Sequence, residues 1–202
     1  KISAIGGLYM LVAQAFYASC LFQDKNLNEE QIDCIYHHLV QEKENIVLIG
    51  MPSSGKTTIG SMLAKRLHKE FIDIDELIKS RIQMEISEYF SKFGENSFRI
   101  VESQVIEEVS KRTNLVIATG GGVILKEVNI ENLKENGKIV LLNRSLDNLI
   151  ATSDRPLTAT KEKLETCYLE RKLLYKKFCD IVIDNNHDLT NAVDEIIERM
   201  KI

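Results

Sequence analysis

The segment that decides the fold reads NIVLIGMPSSGKT and occupies residues 45–57. Its second half matches the pattern G-x-x-x-x-G-K-[ST] at each fixed position, and a run of aliphatic residues precedes it. In such a loop, backbone N–H groups and the N-terminus of the next helix surround a phosphate, while the lysine reaches the terminal phosphates. The glycines keep Cβ atoms out of the space that the phosphate needs. A chance glycine-rich turn is the alternative, but it explains neither the strand before the loop nor the helix after it. The segment therefore predicts a nucleotide-binding loop.

Short apolar runs alternate with amphipathic stretches on the carboxyl side of residue 45. Predicted strands cover residues 46–49, 71–74, 115–118, 139–142 and 180–183, and predicted helices cover 57–69, 76–92, 97–112, 161–177 and 189–200. This alternation is typical of a parallel sheet with helices on both faces. We therefore expect an α/β fold with a central five-stranded parallel sheet flanked by helices, preceded by an N-terminal helical extension.

Composition excludes several classes of function. The 202 residues carry a net charge of −4, which argues against a general nucleic-acid binder because phosphate neutralisation needs a surplus of Lys and Arg. None of the four cysteines forms a C-x-x-C pair, so zinc-binding spacing is absent and reduced thiols are expected. The apolar stretch at residues 8–22 is shorter than the roughly 20 residues that span a bilayer. Together with the predicted nucleotide-binding loop, these features favour a cytoplasmic protein without a membrane segment.

Two acids, Asp73 and Asp75, follow the second predicted strand. Period-two alternation would place both on the same side of the strand. Ligands of open parallel sheets gather at the carboxyl ends of the strands. One acid could hold Mg²⁺, and the other could accept a hydrogen bond from an acceptor hydroxyl. The alternative is a solvated strand end that caps the next helix.

Further candidate residues occur singly downstream. Arg99 lies three residues before Glu102, and an ordinary surface ion pair between them is the competing account. The triple glycine Gly120–Gly122 lets the backbone approach a ligand closely, unless it is only a flexible turn. Arg155 belongs to a polar loop suited to be a mobile lid, and Arg171 lies on a predicted helix. Either arginine could instead be merely solvated.

The ordered set of these motifs resembles shikimate kinase over residues 45 to about 185. The resemblance implies ATP-dependent phosphorylation of the 3-hydroxyl of shikimate in the pathway to aromatic amino acids. It implies catalytic roles for Lys56, Asp75 and Arg155, Mg²⁺ ligation by Thr57 and Asp73, and shikimate binding by Asp75, Arg99, Gly120, Gly121, Gly122 and Arg171. The ATP-binding residues would be Gly50, Pro52, Ser53, Ser54, Gly55, Lys56, Thr57, Thr58 and Arg155.

Two departures from the family pattern bear on nucleotide binding. Ser53 stands where the family usually has a glycine, which predicts a slightly tighter phosphate loop. Asn148 opens the lid region, about residues 148–160, at a position where the family often has a nucleotide-contacting arginine. Both concern ATP affinity and lid closure more than the reaction.

Two alternative functions remain open at this point. A related small-molecule kinase, for gluconate or a nucleoside monophosphate, would also carry the phosphate loop, although a nucleoside monophosphate kinase does not need the set of acids, arginines and glycines. A nucleotide-binding regulatory module without turnover is the other alternative. The intact Lys56, Asp75 and Arg155 argue against it.

The amino-terminal stretch GGLYMLVAQA, residues 6–15, resembles the carboxy-terminal segment of shikimate dehydrogenase over about residues 4–22. The alternative is an ordinary apolar helix that packs on a core. We expect residues 1–25 to be a dehydrogenase remnant, 26–44 a helical linker that Asn28 caps, and 45–202 the kinase domain of a dehydrogenase–kinase fusion. The apolar face of the first helix would then favour self-association.

Overall fold

The structure is a computed structural model that describes residues 7–26, 28–150 and 160–201. The chain divides into two compact units, Lys1–Lys43 and Glu44–Ile202. Arg155, with the rest of the predicted lid at residues 151–159, lies outside the described residues. Its predicted roles therefore stay predictions.

The smaller unit contains two helices, α1 at Gly7–Gln23 and α2 at Glu29–Lys43. The Asn28 side chain accepts a hydrogen bond from the Glu30 N–H at 3.0 Å, so it caps α2 as the sequence predicts. The Tyr9 hydroxyl of α1 donates to Asp33 of α2 at 2.8 Å. This second bond joins the two helices.

Several large apolar side chains of α1 are exposed. Leu11, Leu21 and Phe22 keep 60%, 85% and 92% of their surfaces exposed. Even so, none of the helices within the described ranges has the length and apolar character needed to cross a membrane. The descent of α1 from a dehydrogenase stays a prediction.

The larger unit alternates strands and helices. Its strands are β1 Asn45–Ile49, β2 Glu70–Asp73, β3 Leu115–Ala118, β4 Gly137–Asn143 and β5 Ile181–Asp184. Its helices are α3 Lys56–Leu67, α4 Ile74–Ile82, α5 Ile86–Ser110, α6 Glu127–Glu135, α7 Lys161–Phe178 and α8 Leu189–Met200.

All strands of the sheet run parallel, in the order β2-β3-β1-β4-β5. Each residue of β1 is buried, because helices cover both faces of the sheet. Val47 and Ile49 join the core that contains residues of α4 to α7, whereas Ile46 and Leu48 join the core that contains residues of α3 and α8. The predicted five-stranded α/β fold is confirmed.

The strand that carries the two acids ends earlier than predicted. β2 ends at Asp73 and α4 begins at Ile74, because the Asp73 carboxylate accepts a hydrogen bond from the Asp75 N–H at 3.0 Å and caps the helix. The expected period-two relation between Asp73 and Asp75 is therefore wrong. Asp75 lies in the first turn of α4 instead.

The helices also differ from the sequence pattern in three respects. The predicted helix at 76–92 is two helices, since α4 ends at Ile82 and α5 begins at Ile86. α5 continues to Ser110, with one non-helical residue at Gly94, where φ is 77° and ψ is 169°. α6 was not predicted, because its nine residues carry too few apolar positions to show a period.

The sheet order places the carboxyl ends of β1, β2 and β3 side by side. The phosphate loop follows β1, Asp73 ends β2, and the glycine loop follows β3. Three segments far apart in the chain thus meet at one edge of the sheet, where the candidate site is built.

Candidate active site

The phosphate loop is shaped by close backbone approach at its two fixed glycines. A Cβ on Gly50 would lie 2.8 Å from the carbonyl oxygen of Leu142, so no larger residue fits there. Gly55 has φ 87°, in the left-handed region that glycine adopts without strain, and α3 begins at the next residue. The buried Asn185 donates to the Ser54 carbonyl at 2.6 Å and supports the loop from the end of β5.

Lys56 is buried against the loop that it follows. Its ammonium group donates to the carbonyl oxygens of Gly50 at 3.0 Å and Met51 at 2.8 Å. The cation is therefore held at the loop itself, where a bound phosphate chain would meet it.

The two departures from the family pattern have structural consequences. Ser53 takes φ 63°, a conformation that a glycine adopts at lower energy, and its hydroxyl donates to the Ile150 carbonyl at 2.8 Å. Asn148 donates to the Asn186 side chain at 3.1 Å and so links the segment after β4 to the segment after β5.

Asp73 serves two partners at once. One carboxylate oxygen caps α4, and the other accepts a hydrogen bond from the Thr57 hydroxyl at 2.7 Å. The predicted Mg²⁺ ligands are thus adjacent, and both offer the oxygen donors that Mg²⁺ prefers. Within the described ranges, no group of three or more His, Cys, Asp or Glu side chains could bind a metal.

Each residue of the triple glycine leaves room for a different neighbour. A Cβ on Gly120 would lie 2.7 Å from an Asp75 carboxylate oxygen, and one on Gly121 would lie 2.8 Å from the Pro52 ring. A Cβ on Gly122 would clash with the Arg99 guanidinium. The glycine loop is therefore packed between the phosphate loop and two predicted substrate-binding side chains.

The ion pair between Arg99 and Glu102 exists, but it is not a surface pair. Arg99 is 8% exposed and Glu102 1% exposed, and their side chains meet at 2.8 Å. Glu95 accepts two further bonds from the same guanidinium, at 2.9 and 3.2 Å. Burial alone would lower the pKa of Arg99, but the two carboxylates more than offset this and raise the pKa, so the guanidinium stays charged.

Glu102 is a site residue that sequence reasoning missed. Burial raises the pKa of its carboxyl, although Arg99 opposes the shift. Among the described residues, its second oxygen has no hydrogen-bond partner, and it would lie 3.3 Å from a Cβ on Gly120. The spacing of three from Arg99 was visible in the sequence, but burial was not.

Arg171 and Tyr175 reach the same loop from α7. Arg171, which is 7% exposed, donates to the Gly121 carbonyl at 3.1 Å, and the Tyr175 hydroxyl donates to the same oxygen at 2.5 Å. Burial raises the pKa of the Tyr175 hydroxyl far above its usual value, so the group stays protonated and donates.

Comparison with known proteins indicates the family of the chain. A family model described as "Shikimate kinase" matches residues 52–201. The chain belongs to the shikimate kinase family. It is 43% identical to a shikimate kinase of Clostridium botulinum, over 76% of this chain and 95% of that protein. It is also 42% identical to one of Thermodesulfovibrio yellowstonii, over 70% of this chain and 85% of that protein.

Solved structures show that the likeness extends to the fold. The shikimate kinase of Acinetobacter baumannii in complex with shikimate matches with a TM-score of 0.76 and 31% identity, over 81% of this chain and 96% of that one. A gluconokinase of Sinorhizobium meliloti matches with a TM-score of 0.52 but only 17% identity, so it shares the fold alone.

The candidate site is a cavity of about 450 Å³. The predicted residues that line it are Pro52, Ser53, Gly55, Lys56, Thr57, Thr58, Asp73, Asp75, Arg99, Gly120, Gly121, Gly122 and Arg171. Gly50 and Ser54 do not line it and support the loop from behind. The lining residues that the sequence did not predict are Glu76, Lys79, Glu85, Ile86, Phe90, Phe98, Glu102 and Thr119.

Proposed function

We propose that this kinase transfers the γ-phosphoryl group of ATP to the 3-hydroxyl of shikimate, giving shikimate 3-phosphate and ADP. The observation that carries the proposal is the single cavity that joins a phosphate loop to two buried arginines and an aspartate. Phosphoryl transfer requires positioning and charge neutralisation, and this cavity offers both.

On the donor side, loop N–H groups and Lys56 bind the phosphate chain. Thr57 and Asp73 would hold Mg²⁺, which when bound neutralises phosphate charge. Arg155 supplies a further positive charge in this proposal, on the strength of the family pattern alone.

On the acceptor side, Arg99 and Arg171 bind the carboxylate of shikimate, since planar guanidinium forks match carboxylates. Asp75 accepts the proton of the 3-hydroxyl as that oxygen bonds to the γ-phosphorus. The bond from this phosphorus to the oxygen of the ADP leaving group breaks in the same transfer. The neighbour from Acinetobacter baumannii was solved with shikimate bound, which supports this acceptor.

The amino-terminal unit belongs to the same proposal. Its resemblance to a dehydrogenase segment supports a fusion of the two enzymes, in which α2 is the linker. The exposed apolar residues of α1 support self-association through that helix. The use of ATP supports a cytoplasmic location.

A coupled assay of ADP release with shikimate and with gluconate tests the acceptor. We expect turnover with shikimate and at most background with gluconate.

Lys56→Met should lower kcat/KM at least about 100-fold, because the phosphate that is transferred loses the positive charge of the Lys56 ammonium group beside it. Asp75→Asn should lower kcat about 100-fold or more, because the amide cannot accept the proton.

The matched control is Lys65→Met, since Lys65 is an exposed lysine of the same helix outside the cavity. It should keep kcat/KM within about twofold of the parent. Turnover that prefers gluconate would contradict the acceptor, and no turnover with either compound would favour a regulatory module.

A further inference from the structure

Tyr175 contacts the glycine loop of the site, but the reaction proposed above gives this residue no role. Its side chain is 2% exposed and lies one helical turn after Arg171 on α7. Residues four apart share a helix face, so both side chains reach the glycine loop together. Their common target is the carbonyl oxygen of Gly121.

A carbonyl oxygen has two lone pairs, so the Gly121 oxygen can accept one hydrogen bond from Tyr175 and one from Arg171. The Tyr175 bond, at 2.5 Å, is the shorter, and the Arg171 bond is 3.1 Å. The phenol ring has few rotamers and is packed in the core, so its hydroxyl lies at a fixed point. The Gly121 carbonyl is therefore held from a rigid element of the fold.

The position of that carbonyl matters for Arg171. The guanidinium is planar, so a fixed acceptor on one N–H group restricts the directions of the others. Gly121 is also packed against Pro52, so its backbone has little room to follow a moving arginine. The hydroxyl thereby limits how far the guanidinium can rotate away from the cavity.

We infer that Tyr175 is a positioning residue for the acceptor: its hydroxyl fixes the Gly121 carbonyl and, through it, the Arg171 guanidinium that binds the substrate carboxylate. This inference rests on the proposed role of Arg171. Tyr175 itself touches no reacting atom. A hydroxyl that only satisfies a buried hydrogen bond would stabilise the fold without affecting one substrate more than the other.

The decisive variant is Tyr175→Phe, which keeps the ring and removes the hydroxyl. The KM for shikimate should rise roughly fivefold to tenfold, as expected for one buried hydrogen bond. The kcat and the KM for ATP should stay within about twofold. Tyr89→Phe is the matched control, because its hydroxyl is within 3.0 Å of the Ser97 hydroxyl and does not line the cavity. It should leave all three constants within about twofold.

A double-mutant cycle with Arg171→Lys separates this inference from the proposed carboxylate site. Arg171→Lys alone should raise the KM for shikimate, and adding Tyr175→Phe should then change that KM less than about twofold. The same fivefold to tenfold rise in both backgrounds would show that Tyr175 does not act through Arg171.

An Arg171→Lys variant with unchanged KM would instead refute the carboxylate site. A lower melting temperature of Tyr175→Phe with unchanged KM would leave Tyr175 a purely structural role and overturn the inference.

Discussion

Gly122 determines where a predicted substrate-binding side chain can lie. Its backbone has φ −99° and ψ 0°, which an alanine can also adopt, so conformation alone does not require glycine there. The requirement comes from Arg99, whose guanidinium occupies the space of a Cβ on Gly122. Arg99 cannot easily move aside, because Glu95 and Glu102 hold it.

Gly122→Ala should therefore displace Arg99 without straining the backbone. We expect the KM for shikimate to rise at least about tenfold, while the KM for ATP stays within about twofold, because the loss of one charged hydrogen bond has that magnitude. Steady-state kinetics with each substrate varied in turn measures the split. Gly7→Ala is the control, since a Cβ there meets nothing within 4 Å. Equal changes in the KM for shikimate and the KM for ATP would contradict a role of Arg99 that is specific to the acceptor.

Glu102 illustrates the limit of reasoning from single residues. The sequence showed its spacing from Arg99, and that spacing is compatible with a solvated pair. Its burial depends on the packing of α5 against α4 and α6. The raised pKa of the Glu102 carboxyl follows from that packing, and so does its oxygen without a hydrogen-bond partner among the described residues. Neither property can be read from the neighbouring residues in the sequence.

The start of α4 is fixed by Asp73, the residue that ends β2. Asp73 caps the helix with one oxygen and contacts Thr57 with the other. Of the interpretations weighed for the acids, the helix cap is confirmed for Asp73. The metal itself stays a proposal.

Substitutions at Asp73 can separate the two roles. Asp73→Asn should keep stability within a few tenths of a kcal/mol, because Asn caps as well as Asp, but it should raise the Mg²⁺ concentration needed for half-maximal activity. Asp73→Ala should lose the cap as well, at about 1 kcal/mol. Urea unfolding and Mg²⁺ titration of activity measure the two effects.

Asp188→Ala provides the comparison, since Asp188 caps α8 and does not line the cavity. It should lose about 1 kcal/mol of stability and leave the Mg²⁺ requirement unchanged. An Asp73→Asn variant with the parent Mg²⁺ requirement would show that this carboxylate does not serve the metal.

At the scale of the whole molecule, the site depends on one of the two units. The cavity-lining residues and both hydrophobic cores belong to Glu44–Ile202. Glu44 itself belongs to that unit, because its carbonyl accepts a bond from Lys69 at 3.0 Å and its carboxylate pairs with Lys138 at 3.2 Å. A kinase fragment should therefore begin at Glu44.

We expect a chain of residues 44–202 to keep kcat and both KM values within about twofold of the full chain, because the described residues of the site and of both cores all belong to it. Light scattering of both chains tests self-association at the same time. The full chain should show the larger oligomer, since only it carries the apolar residues of α1. A folded fragment without activity would show that the smaller unit contributes to catalysis.

The amino-acid sequence by itself determined the phosphate loop, the α/β class, the parallel sheet and most of the residues around the cavity. These follow from local patterns, namely the loop motif, the periods of the apolar residues and the order of short motifs along the chain. The tertiary structure alone decided which of those residues meet, and how. The contact between Tyr175 and Gly121 joins residues 54 apart, and the burial of Glu102 depends on three packed helices. Such relations depend on distances in space that no local pattern encodes.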